Sequence, residues 1–406
     1  MAQGACREAF IADPAPARSG SGQRILILYS NTGGGHRAAA HALEMAIQQL
    51  DPDARVEQLD PLMGEQSSSR LVRRLASLYS PLIQRSPPLW GAIYHGFNNR
   101  PAFAAVRGVF GGYVRKILTR ELARFDPDLV ISVHPLLNHV AWQTIRRGPR
   151  PRGLVTVITD LVDFHLGWMF PRSDLVVVPT EMARRECLAA GVPEARLRLL
   201  GLPVDLRFRP PAPGEQAALR RRFGLDESRF TILVAGGGEG SGKLLQQVRA
   251  LARREAHWQL IVVCGRNEKL RRRLSRINWQ SRALILGFVD YMPDLMRAAD
   301  IVVGKAGPGA IGEALATGMP MLLTSYLPGQ ETQNVTFVEQ SGMGRYVPKP
   351  DQLLAAVREL AEPGSPSWRA MAERAAKISH PYASLDIARE CLRVAAVYRA
   401  SEQASR

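Results

Sequence analysis

Short apolar runs alternate with helical stretches twice along this chain, and a proline-dense segment separates the two series. The runs at 24–30, 56–59, 129–133, 154–159, 175–178 and 197–200 are rich in Val, Ile and Leu. Runs of that kind, with helices between them, belong to a parallel sheet covered on both faces. Residues 201–214 read Gly-Leu-Pro-Val-Asp-Leu-Arg-Phe-Arg-Pro-Pro-Ala-Pro-Gly, and such proline density ends regular structure. The alternation then restarts, with runs at 230–235, 259–264, 283–286, 301–303 and 319–323 and helices from 243, from 267 and over 293–299. Each half is therefore expected to be a doubly wound α/β domain with its ligands beyond the strand ends, in the cleft between the two. The expected division is a mobile arm over 1–23, a first domain over 24–200, a linker over 201–214, a second domain over 215–385, and a C-terminal helix over 386–406 that packs back on the first domain.

Glycines at strand-to-helix turns mark where ligands approach the backbone. Lys305-Ala306-Gly307-Pro308-Gly309 leaves the run at 301–303 and opens a helix to about residue 317. The N–H groups of such a turn, with a helix N-terminus of about +0.5 charge, suit a nucleotide diphosphate at Gly307, Pro308 and Gly309. Glu313, one turn on, is placed to accept from a ribose diol. The same residues also suit a tight turn that only packs helix on sheet. A second element, residues 325–334, favours the nucleotide: Gln330, Glu331 and Asn334 offer the donors and acceptors that sugar hydroxyls need. Residues 236–243 nearly spell a phosphate-binding P-loop, but Leu244 stands where a Ser or Thr must hold Mg²⁺. A turn that approaches the ligand remains, and Gly237, Gly238 and Glu239 are assigned to it. Arg266 ends a strand where it would neutralise a diphosphate, and the backbone at Phe288 would read a base edge.

The first half carries proton-transfer chemistry. Gly35 and His36 close the glycine loop after the first run, and an imidazole there can take a proton from an alcohol. Asp160 ends another run and would orient the histidine or replace it as base. His134 ends a third run, also facing the cleft, and is assigned to the acceptor side. Asp51-Pro52-Asp53 and Asp126-Pro127-Asp128 read as turn chemistry, so no metal is assigned.

Formal net charge is +16, which calls for an anionic partner: nucleic acid, acidic lipid or a phosphorylated substrate. No recognition helix or base-stacking motif supports nucleic acid. Residues 70–125 break the alternation and mix ten basic residues, with Glu121 as the only acid, among aromatics. Arg73, Arg74, Trp90 and Tyr94 there suit an anionic membrane surface; a pair of amphipathic helices with an aromatic core face fits the same composition. No apolar run is long enough to span a bilayer. The four cysteines are scattered without metal-ligand spacing, which fits a reducing cytoplasm.

Seven motifs in order carry a resemblance: 32–37 (Thr-Gly-Gly-Gly-His-Arg), 132–136 (Ser-Val-His-Pro-Leu), 201–204 (Gly-Leu-Pro-Val), 236–240 (Gly-Gly-Gly-Glu-Gly), 263–267 (Val-Cys-Gly-Arg-Asn), 305–309 (Lys-Ala-Gly-Pro-Gly) and 328–331 (Pro-Gly-Gln-Glu). Over residues 25–346 the chain resembles the monogalactosyldiacylglycerol synthase and processive diacylglycerol glucosyltransferase group of the family 28 glycosyltransferases. The resemblance implies a GT-B fold, a UDP-hexose as co-substrate with no other cofactor, diacylglycerol as acceptor, and inversion at the anomeric carbon. It implies a cytoplasmic enzyme, peripheral on the inner face of the plasma membrane. By position, His36 matches the general base, Glu313 the ribose-binding carboxylate, Gln330 and Glu331 the donor-sugar contacts, and 307–309 the diphosphate cradle. Residues 310–312, 332–334 and 160–165 depart from the commonest plant-like pattern, so the donor sugar stays open between galactose, favoured, and glucose. Two relatives in fold stay open as well: N-acetylglucosaminyl transfer to lipid-linked muramyl peptide and a UDP-sugar epimerase.

Overall fold

A parallel strand covered on both faces needs an unbroken apolar run, and Arg-Ile-Leu-Ile-Leu at the start of the first half folds as one, with Ile25 through Leu28 fully buried. The computed structural model describes residues 22–31, 34–63, 96, 99–162, 165–237, 244–252, 257–277, 279 and 282–405. The first half runs β1 (Arg24–Leu28), α1 (Gly35–Leu50), β2 (Arg55–Leu59), α2 (Arg100–Phe125), β3 (Leu129–Ser132), α3 (Asn138–Arg146), β4 (Gly153–Val157), β5 (Leu175–Val178), α4 (Glu181–Ala189) and β6 (Leu197–Leu199). The second runs α5 (Glu215–Arg222), β7 (Phe230–Ala235), α6 (Leu244–Leu251), β8 (Trp258–Val263), α7 (Glu268–Ser275), β9 (Ala283–Leu286), α8 (Met292–Ala298), β10 (Ile301–Lys305), α9 (Pro308–Thr317), β11 (Met321–Ser325), α10 (Thr332–Ser341), β12 (Gly344–Tyr346), α11 (Pro350–Ala361) and α12 (Pro366–Lys377). The last helix is α13 (Ala383–Ser405). The alternation of apolar runs does not single out β12, α11 or α12.

Among the described residues each half holds one six-stranded parallel sheet, ordered β2-β1-β3-β4-β5-β6 and β12-β11-β10-β7-β8-β9. Both are doubly wound, as expected: the chain works outward from β1 in one direction, then returns to β1's other side at β3, and β7 and β10 repeat the device.

Several contacts tie the halves together. The Val204 N–H donates to Ser384 Oγ at 2.9 Å, and the Ser384 hydroxyl donates to the Val204 carbonyl at 2.6 Å. The helix α13 then packs on α1, β3 and β4, and the Tyr398 hydroxyl donates to Asp174 at 2.9 Å. Leu161 and Val162 of the first half join the second half's core cluster. A Cβ added at Gly312 in α9 would stand 3.0 Å from Leu202 and 3.2 Å from Val204, so the linker lies directly on that helix.

The basic, aromatic segment is described only in part. Arg73, Arg74, Trp90 and Tyr94 lie outside the described residues. The C-terminal half of α2, however, is core. Val114, Ile117, Leu118, Leu122 and Phe125 are buried with Leu26, Leu28 and Val130 of the adjacent strands. They recur at helical spacing and form one apolar stripe, which the sheet takes up. Glu121, 2% exposed, pairs with Arg120 and Arg124, whose own side chains stay largely exposed.

Candidate active site

Strand order reverses between β1 and β3 in the first half and between β7 and β10 in the second, and doubly wound sheets bind ligands beyond the strand ends at such points. At the first reversal, Gly34 takes a left-handed φ of +82° as the N-cap of α1, which turns the chain from strand to helix within a few residues. Gly35 and His36 therefore stand in the helix's first turn. The His36 ring meets His134, just past β3, edge-on with centroids 4.6 Å apart, and lies 6.3 Å from the fully buried Trp168. Its Nδ1 shares a 2.9 Å hydrogen bond with Thr159 Oγ1. His165 completes the group, its ring edge-on to Phe103 of α2 at 5.1 Å.

Burial pushes the His36 imidazole down to about 4, against a hydrogen bond to the Val133 backbone that works the other way. Burial lowers His165 to about 4 as well, and holds His134 well below the usual histidine range, with His36 and His165 adding to the effect. All three rings are neutral at neutral pH, the form in which an imidazole accepts a proton.

Asp160 does not take the expected place. Its carboxylate accepts from the Trp168 indole N–H at 2.6 Å, while Thr159 turns to His36. Of the two neighbours it is Thr159 that meets the imidazole.

At the second reversal, Gly237 follows β7, and Gly238 and Glu239 lie outside the described residues. At the end of β10 the pairing register shifts between Gly304 and Lys305, and the chain then turns at Ala306 and Gly307 into α9. Pro308 holds the first helical position, where a missing N–H costs nothing, and no side chain caps the helix. The N–H groups of Gly309 and Ala310 thus face outward at the positive end of the helix. Half-buried Glu313 follows one turn later, and burial first, then the charge of Asp205, raises its carboxyl to about 7.

The residues beyond β11 close on the same turn. Glu331 is 3% exposed; its Oε1 accepts from the Lys305 ammonium at 2.7 Å and its Oε2 from the Leu327 N–H at 2.8 Å. Asn334 donates its amide to the Ala306 carbonyl at 2.9 Å. Gln330 and Asn334 each keep a buried carboxamide oxygen without a partner. Arg266 stacks its guanidinium over the Phe288 ring at 4.9 Å, and Phe288 is 63% exposed. Sequence reasoning does not select Thr159 or Lys305 as site residues, although Thr159 adjoins Asp160 and Lys305 opens the motif that holds Gly307.

The fold is that of the GT-B class. Acinetobacter baumannii MurG matches with a TM-score of 0.60 at 15% identity, over 91% of this chain and 99% of that one. The glycosyltransferase SnogD from Streptomyces nogalater gives 0.55 at 15%, over 92% and 99%. Both are likenesses of fold. Residues 36–204 match the family model for monogalactosyldiacylglycerol (MGDG) synthase, and residues 231–383 that for the glycosyltransferase family 28 C-terminal domain. The chain is 33% identical to the MGDG synthase of Spinacia oleracea over 382 residues, 90% of this chain and 72% of that protein. It is 32% identical to MGDG synthase 1 of Arabidopsis thaliana over 375 residues, 90% and 70% of the two. The chain belongs to the monogalactosyldiacylglycerol synthase family.

These relatives overturn one expectation. Both are named as chloroplastic, so the family does not point to a cytoplasmic enzyme on the inner face of the plasma membrane. Among the described residues no helix is long and apolar enough to cross a membrane.

Proposed function

We propose that this chain transfers a galactosyl group from UDP-galactose to the free hydroxyl of diacylglycerol, with inversion at the anomeric carbon. What supports this is a half-site at each of the two strand reversals: neutral His36 at one, and the open N-terminus of α9 with Glu313 at the other. The diphosphate rests on α9, the ribose hydroxyls on Glu313, and the sugar hydroxyls reach the partnerless oxygens of Gln330 and Asn334. His36 takes the acceptor's proton as its oxygen attacks the anomeric carbon; the bond from that carbon to the diphosphate breaks, and its electron pair leaves with UDP. Diacylglycerol resides in bilayers, and the net charge of +16 favours meeting it at an anionic one.

The names of the relatives support galactose over glucose, and diacylglycerol over a muramyl peptide or an epimerase's free sugar nucleotide. The test is parallel incubation of diacylglycerol vesicles with labelled UDP-galactose, UDP-glucose and UDP-N-acetylglucosamine. Labelled monogalactosyldiacylglycerol as the main product supports the proposal. Transfer only from UDP-glucose or UDP-N-acetylglucosamine, or none to the lipid, refutes it.

A further inference from the structure

We infer that Lys305 is the cation that receives the donor's diphosphate, and that Glu331 is the tether that holds it ready. The pairing register shifts between Gly304 and Lys305, so Lys305 pairs with Ser325 at the very end of the β10–β11 ladder. Its side chain then folds over the N-cap of α9. Measured from the position a Cβ would take at Gly307, Lys305 Cε lies at 3.1 Å, Nζ at 3.4 Å and Glu331 Oε1 at 3.5 Å. A side chain at residue 307 would therefore press on the lysine. The Lys305 side chain is 47% exposed and its partner Glu331 4%, so the pair has one face in the protein and one open to solvent.

Glu331 is itself fixed. Its second oxygen accepts from the Leu327 N–H, and its backbone stands at the N-cap position of α10, at the loop's end. A buried carboxylate anchored in this way costs free energy unless a cation satisfies it. Lys305 supplies that charge, at the place where two outward-facing N–H groups and a helix dipole already favour an anion. The turn also holds a second, independent polar feature. Asn334, 2% exposed, donates to the Ala306 carbonyl and keeps its carboxamide oxygen partnerless directly beside the lysine's turn.

An arriving diphosphate brings charge that competes with Glu331 for the ammonium. Rotation about the flexible four-carbon stem lets Lys305 move onto phosphate oxygens without moving the backbone. Glu331 then has an oxygen free to accept from a donor hydroxyl. Diphosphate binding and sugar recognition are thereby linked through one ion pair, and a uridine without phosphates leaves the pair closed.

This rests on the UDP-sugar reading above, and the experiment separates the two. Wild type, Lys305→Met, Lys305→Arg and Glu331→Gln are titrated calorimetrically with UDP and with uridine. Lys305→Met should lose about tenfold or more in UDP affinity, because a charge-assisted contact is gone, and keep its uridine affinity. Lys305→Arg should recover much of the loss, and Glu331→Gln should lose less than Lys305→Met. If Lys305→Met binds UDP like wild type, or Lys305→Arg binds no better than Lys305→Met, the inference is overturned. Equal losses for uridine and UDP also overturn it, since they mark a structural role. A wild type that binds uridine but gains nothing from the diphosphate overturns the inference while leaving a nucleoside site; one that binds neither sinks the donor reading itself.

Discussion

Donor affinity is expected to fall about tenfold between pH 8 and pH 6, through Glu313. Its carboxyl stands at about 7 because burial, and then Asp205, disfavour the charged form. At pH 8 such a group is about nine-tenths ionised, and at pH 6 about one-tenth. A ribose diol donates two hydrogen bonds, and only the carboxylate accepts both; the neutral acid would meet one of them with a donor of its own. The observed dissociation constant therefore rises as the ionised fraction falls, which amounts to about 1.4 kcal/mol for the tenfold change. UDP-galactose is the right probe, because its diphosphate carries no proton that titrates near neutrality. The three histidines of the site do not interfere, since two stand at about 4 and His134 lies well below the usual range. Calorimetry at several pH values, in buffers of different ionisation heat, reads both the affinity and the proton released near pH 7. Glu313→Gln should abolish the proton release and weaken binding at pH 8 by about 1.5–3 kcal/mol, the worth of hydrogen bonds to a charged group. Flat affinity from pH 6 to 8, with the Gln variant binding as wild type does, would refute the role of Glu313.

The same carboxyl has a stability consequence of the opposite sign. Its raised value means that folding favours the protonated form, so stability falls as pH rises toward and through 7; in urea titrations Glu313→Gln should exceed wild type at pH 8, with the gap closing below about pH 5. The lowered histidines act in the other direction: their contribution is complete above about 6.5 and is lost as pH falls toward 4, so the denaturation midpoint should drop across that window, and a constant midpoint would contradict their burial. Thr159→Val should lower turnover about tenfold without changing donor affinity, and Thr159→Ser should restore it, because the hydroxyl on His36 Nδ1 fixes the ring's tautomer and direction; turnover equal to wild type in the Val variant excludes that role. Gly312→Val should destabilise by about 1–3 kcal/mol, since even its Cβ meets Leu202 at 3.0 Å, and an unchanged midpoint would show that the linker is free to move off α9.

The fold was legible because a buried parallel strand leaves an unmistakable apolar run, as at Ile25–Leu28 and Ile232–Val234, and because glycines mark the turns that follow. The same logic located His36 and the Gly307 turn, since both stand where a run stops. Partnerships across the fold were not legible. Thr159 and Asp160 are adjacent, and sequence alone does not say which of two neighbouring side chains meets a histidine on another strand's loop. Lys305 and Glu331 are 26 positions apart, and only the alignment of β10 with the loop after β11 brings them together. The basic residues of α2 drew attention to a membrane, while the apolar positions between them decide that helix's buried face. Composition averages over a helix; burial depends on which side of it each residue occupies.

Single-turnover transfer from saturating UDP-galactose to diacylglycerol, by wild type and His36→Ala side by side, bears most directly on the division of labour between the halves. The rate should fall by about 10² or more while the donor's dissociation constant stays within about twofold, because the imidazole moves a proton and the other half holds the nucleotide. An undiminished rate, or a loss of rate matched by a loss of donor binding, would contradict it.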